Sequence, residues 1–349
     1  MLSAKELWQI VDRHTVMSEV EAAAMNLVDY TNSATIRREA TRDGFGKGLV
    51  EAGTCNDDVI GICADLVEST RMEDFKAAFP RRYIEIGVAE QMLAAMASGL
   101  AAAGKIPFIA SYAMFDPGRS WEQIRTTIAL NQMNVKIAGA HAGVSVGPDG
   151  ATHQAIEDIA IMRVIPNMTV VVPCDSIQTR KATVAVAERW GPTYLRLGRD
   201  KTAILTTENT PFEIGKAQTF RAGSDAAIVV CGILLENALL AATTLAREYG
   251  IDCRVINNHT IKPMDQRAIM EAAQECGAVV TVEEHQVCGG MGSCVAEILA
   301  QGTPVPMEFV GVRDQFGQSG TPAELIEYYG MDADSIVKAV HNVLKRKKR

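Results

Sequence analysis

Residues 135–175 read VKIAGAHAGVSVGPDGATHQAIEDIAIMRVIPNMTVVVPCD. A short strand-like run, VKIAGAHAG (135–143), passes through a Gly/Pro loop into a helix near His153–Met162. A second strand-like run, MTVVVPCD (168–175), follows at once. Short β-branched runs that alternate with helices predict a mostly parallel sheet with helices on both faces. Upstream, a helix from about Thr35 to Gly53 precedes the strands VIGICADL (59–66) and YIEIG (83–87), and an Ala-rich helix continues from the latter. IPFIASY (106–112) and a helix over about 119–131 lead into the quoted stretch. Downstream come a helix over 177–190 and the strand PTYLRLG (192–198).

The rhythm breaks at KTAILTTENTPFEIG (201–215), where polar, Pro and Gly residues mark a boundary. It then resumes with DAAIVVCG (225–232), a helix over 235–249, IDCRVINN (251–258), a helix over 265–276, GAVVTVEE (277–284), a helix over 290–301, VPMEFVGV (305–312) and a terminal helix. The expected fold class is α/β, as two three-layer α/β/α domains with mostly parallel sheets. The expected division is a helical N-terminal extension over 1–34, a first domain over 35–205 and a second over 206–349.

Composition narrows the function class. The 349 residues exceed roughly 150 per domain, enough for two cores. Net charge is −8, from 34 basic against 42 acidic residues, which argues against nucleic acid as a partner. The apolar run 86–103 is short for a membrane span and carries Glu90 and Gln91. No cleavable leader pattern is visible, and eight cysteines without CxxC spacing read as core thiols of a reduced, cytoplasmic protein.

Several residues stand out chemically. Glu90 is the one charge between Glu85 and Lys105, in a helix that reads as buried almost all round. Such a carboxylate is desolvated, which raises its pKa, and it is either structurally paired or exchanges a proton with a ligand nitrogen. His141, Asp149, His153 and Gln154 lie around a Gly/Pro loop at a strand end, where open α/β sheets bind ligands. They suit hydrogen bonding to a polyhydroxylated substrate, with loop polarity as the plain alternative, and their spacing is not that of a metal site. Tyr112, Phe115 and Trp121 pack in the core or stack on a flat ring. Arg37, Arg38, Arg196 and Arg199 are surface charges or a phosphate clamp. CGGMGSC (288–294) imitates a dinucleotide-binding turn but lacks the third glycine.

IEIGVAEQ (84–91), the YAMF aromatic pair, DGATHQAIEDIAIMRVIPNMTVVVPCD (149–175) and TVEEHQVCGGMGS together resemble the C-terminal half of transketolase, over about residues 35–349. The resemblance implies thiamine diphosphate chemistry that moves a two-carbon ketol unit from a ketose, usually a phosphate, to an aldose. It implies that Glu90 hydrogen-bonds the aminopyrimidine nitrogen, that Phe115 stacks on that ring and that Tyr112 lines the pocket. Asp65 and Leu66 match a family stretch near the thiazolium. His141, Asp149 and His153 match residues that bind the sugar, with His153 aiding proton transfer, and Arg37, Ser69 and Arg199 match contacts to its phosphate end.

The family's diphosphate-binding domain carries a GDG followed by an Asn pair, and this chain has no GDG. Asn257–Asn258 lies in the second domain without that context. The resemblance therefore implies a split enzyme, with an N-terminal subunit supplying GDG…N and most of the Mg²⁺ or Ca²⁺ ligands, in an α2β2 heterotetramer built partly by self-association of this chain. The neighbouring readings are a subunit of 1-deoxy-xylulose-5-phosphate synthase type, a 2-oxoacid dehydrogenase β-type subunit, and a non-catalytic regulatory subunit with the same fold.

Overall fold

The computed structural model of the chain describes residues 25–30 and 35–347. Two sheets organise it. The first has seven strands in the order β12-β6-β7-β5-β4-β2-β3: β2 (Val59–Cys63), β3 (Tyr83–Glu85), β4 (Ile106–Tyr112), β5 (Lys136–Ala140), β6 (Thr169–Val171), β7 (Thr193–Arg196) and β12 (Thr260–Lys262). All neighbours are parallel except β12, which runs antiparallel beside β6. The second sheet has the order β14-β13-β10-β11-β9: β9 (Gln218–Arg221), β10 (Ala226–Val230), β11 (Cys253–Asn257), β13 (Val279–Gln286) and β14 (Met307–Val312). Only β9 is antiparallel there. Every residue of β2, β5 and β10 is buried, as expected of parallel strands covered on both faces.

The expected alternation holds, with four differences. Residues 25–30 form no helix: the Val28 amide donates to the Leu205 carbonyl, and Met25, Leu27 and Tyr30 pack on the second core. The remainder of the expected 1–34 helical extension lies outside the described residues. The helix expected from Thr35 begins only at Thr41, because β1 (Arg38–Ala40) pairs antiparallel with β8 (Lys201–Ala203). The second half does not keep to its own sheet, since β12 closes the edge of the first. Finally, the helix expected at His153 starts at Asp158, and residues 144–149 form a short 3-10 turn.

One buried ion pair ties these parts together. Asp158, at the helix start, accepts from Arg196 Nε at 2.7 Å and from Arg196 Nη2 at 3.1 Å. Tyr194 donates its hydroxyl to the same carboxylate at 2.7 Å. Arg196 Nη2 also donates to the carbonyls of Ala155 (3.2 Å) and Glu284 (2.9 Å), so one guanidinium spans both sheets. Arg196 is thus a buried structural residue, and the phosphate-clamp reading does not apply to it. Asn257 is likewise structural, bonded to Gln178 and Gln218.

Breaking a buried pair leaves an uncompensated charge and costs about 3–5 kcal/mol. Arg196→Met should lower unfolding free energy by that amount in urea titrations. Arg267→Ala, which breaks an exposed pair with Glu271, should change it by under about 0.5 kcal/mol.

Candidate active site

The C-terminal ends of the parallel strands converge on one rim, as an open α/β sheet predicts. Tyr112 ends β4, His141 follows β5, Asp65 and Leu66 follow β2, and Arg199 follows β7. His141 stands in the left-handed region at φ 56°, a strained conformation for a non-glycine residue. Its surroundings hold it there. The Ala142 amide donates to Leu197 O (3.0 Å) and the Gly143 amide to Ala155 O (2.8 Å). Gly143, at φ 87°, has no room for a side chain, since a Cβ would lie 2.2 Å from the Glu284 carboxyl carbon. That carboxylate accepts from the Ser145 amide at 2.6 Å, so the loop carrying Asp149 and His153 is pinned to the second domain. Gln154 pins it again, donating to Val144 O and Gln318 O.

Aromatic rings line the rim. Tyr112 stacks on His141 with centroids 4.0 Å apart, and Phe115 lies 6.3 Å from Tyr112 in a stacked pose. The His153 ring meets Phe115 edge-on at 5.4 Å and Tyr112 at 6.2 Å. The Tyr112 hydroxyl donates to Ser69 Oγ at 3.2 Å. Four of the sequence-predicted residues, Tyr112, Phe115, His141 and His153, therefore form one wall, and Ser69 adjoins it. Trp121 does not join it: its indole N–H donates to Ile161 O, which fits core packing. Asp149 is exposed on the loop. Asp65 is exposed too, at φ 59°, with its amide donating to Glu85 Oε1.

His141 is pushed down to about 3, first by burial and then by Arg42, Arg199 and Arg71, so it is a neutral imidazole at ordinary pH. Its Nδ1 is buried without a partner. Glu90 opens the helix Glu90–Ala102 and is 3% exposed. That helix is not buried all round: Met92 in its first turn is 53% exposed, and Val88, just before the helix, is 71% exposed. The missing neighbour for Glu90 comes from sequence-distant Arg119, whose Nη1 donates to Glu90 Oε2 at 2.8 Å. The same guanidinium lies over the Phe115 ring, 5.0 Å from its centroid.

The other expectations resolve differently. The backbone of Arg37 accepts from the Ile204 amide, but its exposed side chain makes no hydrogen bond or ion pair to a described residue. Arg38 pairs with Glu236 at 2.6 Å across the two domains. The turn at 288–294 is filled from within, because the buried Glu283 carboxylate accepts from the amides of Met291 (2.6 Å) and Gly292 (2.8 Å). Those two helix-start amides are therefore not available to a dinucleotide phosphate. Among the described residues no group of three or more His, Cys, Asp or Glu is placed to hold a metal ion. None of the described helices is long and apolar enough to cross a membrane.

The family profile described as the transketolase pyrimidine binding domain matches residues 38–203, and the transketolase C-terminal domain matches 215–336. A putative transketolase C-terminal section from Methanocaldococcus jannaschii is 42% identical, over 87% of this chain and 96% of the relative. The chain belongs to the transketolase family. A 6-deoxy-6-sulfo-D-fructose transketolase subunit from a Clostridium species is also 42% identical, over 88% of this chain and 95% of its own length. A solved structure described as an inactive β4 tetramer of a split-gene transketolase superposes with a TM-score of 0.81 at 45% identity, covering 88% of this chain and 99% of that one.

Three residues at this transketolase-family rim escaped the sequence reading. Arg42 Nη1 lies 3.4 Å from His141 Nε2 and donates to Ser69 O at 2.8 Å. Its place just inside a helix start gave no signal until β1 fixed where that helix begins. Arg119 was hidden because its partner lies 29 positions away. Asp116 is fully buried with Oδ1 accepting from Ser120 at 2.5 Å and Oδ2 unpartnered. Burial, with the nearby charge of Glu90, pushes its carboxyl up to about 7 against the Ser120 bond. An acid raised in the folded state binds its proton more tightly there, so this contribution to stability is full at low pH and is lost as pH rises from about 4 to about 7. The melting temperature of wild type should fall relative to Asp116→Asn across that window and run parallel above it. A constant offset from pH 4 to 8 would contradict the assignment.

Proposed function

We propose that this chain is the C-terminal subunit of a two-component transketolase, which moves a two-carbon ketol group between sugars, ketose phosphates among them. The observation that carries the reading is the buried Glu90 carboxylate beside the wall of Phe115, Tyr112, His141 and His153, in a chain of this family. The residues fit thiamine diphosphate: a carboxylate for a ring nitrogen, flat rings for a heteroaromatic face, and an unpartnered buried imidazole nitrogen. When bound, that cofactor supplies the carbanion and the electron sink for ketol transfer.

This chain's residues would then do the following. Glu90 Oε2 would share a proton with the aminopyrimidine nitrogen, in exchange for its bond to Arg119. Phe115 would stack on the ring, with Tyr112 lining the pocket and Asp65 and Leu66 near the thiazolium. Neutral His141 would donate from one ring nitrogen and accept at the other, so it would orient the sugar without carrying charge. Asp149 would bind a hydroxyl, His153 would pass a proton at the carbonyl end, and Ser69 and Arg199 would hold the far end of the substrate.

The diphosphate and its Mg²⁺ or Ca²⁺ would be held by an N-terminal subunit with a GDG…N motif. The uncovered Val88 and Met92 beside Glu90 support docking there. An α2β2 assembly is the simplest closed form. Its test is Glu90→Ala: the variant should keep its melting temperature and its binding to the partner yet lose ketol transfer in the assembled complex. Ketol transfer retained by that variant would overturn the reading.

A further inference from the structure

Two of the segments proposed to meet the cofactor leave from neighbouring strands. Asp65 and Leu66 follow β2, and Glu90 follows β3, the edge strand of the seven-stranded sheet. Glu85 stands between them. It is the last residue of β3, in parallel register with Cys63 of β2. Its Oε1 accepts from the amides of Asp65 (2.7 Å), Ile86 (3.1 Å) and Gly87 (3.2 Å). Its Oε2 accepts from the Tyr83 hydroxyl at 2.6 Å. One carboxylate therefore joins the turn after β2 to the turn that leads into Glu90.

Both turns need such a tie. Asp65 stands in the left-handed region at φ 59°, where a non-glycine residue persists only with support from its surroundings. Gly87 turns the chain at φ 70°, and the Ala89 amide donates back to its carbonyl at 2.8 Å. Ala89 has no side chain to cap the helix that opens at Glu90, so the entry to that helix follows the placement of Gly87. Glu85 is itself exposed, so the converging donors, not enclosure, set its conformation. Burial pushes its carboxyl up, but the Tyr83 hydroxyl and the amides of Asp65, Gly87 and Ile86 outweigh this and hold it below the usual range. It is a carboxylate at ordinary pH, and hydrogen bonds to an ionised acceptor are the strong ones. A ligand that spans two segments binds with less ordering cost when their spacing is fixed beforehand.

We infer that Glu85 is a positioning residue for the cofactor: it sets the spacing between the thiazolium-side turn at Asp65–Leu66 and the aminopyrimidine carboxylate of Glu90. The inference rests on the cofactor contacts proposed above for those residues. It goes beyond them by naming the group that ties the two ends of the site together.

The test titrates thiamine diphosphate with Mg²⁺ into the full chain assembled with its N-terminal subunit. Glu85→Ala should raise the dissociation constant by about tenfold or more, since it removes the shared acceptor of three amides. Glu85→Gln, whose amide oxygen can still accept from the same three donors, should recover most of that loss. Hydrogen exchange of the full chain alone reads the tie itself. Glu85→Ala should speed exchange in the peptides that hold the amides of Asp65, Ile86 and Gly87, with no change in the buried strand Lys136–Ala140.

An unchanged dissociation constant in Glu85→Ala overturns the inference, and so does unchanged exchange at those amides. An equal loss in Glu85→Gln and Glu85→Ala overturns it as well, because the acceptor geometry would then be irrelevant. If Glu85→Ala fails to assemble, Glu85→Asp decides, since it keeps the charge but falls one methylene short: weakening by about threefold or more sustains the inference, and wild-type affinity overturns it. A wild-type complex that binds no thiamine diphosphate overturns the cofactor reading and this inference with it. Binding in wild type that the Glu85 variants leave untouched overturns the inference alone.

Discussion

The geometry of the rim depends on the buried pair of Asp158 and Arg196. Two charges inside a protein are tolerable only when every donor and acceptor is met, and here they are met by Tyr194, by Ala155 O and by Glu284 O. Those partners come from β7, the 143–158 loop and β13 of the second sheet, so one guanidinium fixes three pieces of chain. Glu284 then holds the Ser145 amide, and Gly143 exists as glycine because that carboxylate fills the space behind it. The strained His141 backbone is the outcome. The pair adds little net stability of its own, yet the position of the histidines follows from it.

In the proposed reading the rim is half of a site. Glu90 is buried by its own chain, while Val88 and Met92, two residues to either side of it in sequence, are exposed. Apolar side chains exposed next to a desolvated carboxylate are what a docking subunit covers. Within the isolated chain Arg119 answers the carboxylate and caps the Phe115 face together. Asp116 lies close enough for the charge of Glu90 to help raise it.

Most of the fold was legible in residues 135–175 and their neighbours, because parallel strands buried on both faces leave short β-branched runs that composition alone reveals. What stayed hidden was non-local. β1 is three residues long and takes its conformation from β8, so it read as helix. β12 crosses to the other sheet through a pairing that no local pattern encodes. At the site, the loop residues His141, Asp149 and His153 and the aromatic pair were visible by type and position. Arg42 and Arg119 were not, since each acquires its meaning from a partner far along the chain. Arg196 looked free in sequence and is the most committed arginine in the structure. Glu283 likewise turned an apparent phosphate-binding turn into a closed internal cap.

The central claim is that this chain supplies one half of a shared cofactor site. Isothermal titration of thiamine diphosphate with Mg²⁺ tests it most directly, first into the full chain alone and then into the chain assembled with its N-terminal subunit. Saturable binding in the assembled complex, with none in this chain alone, is the predicted result. Equally tight binding to the chain by itself would contradict the account.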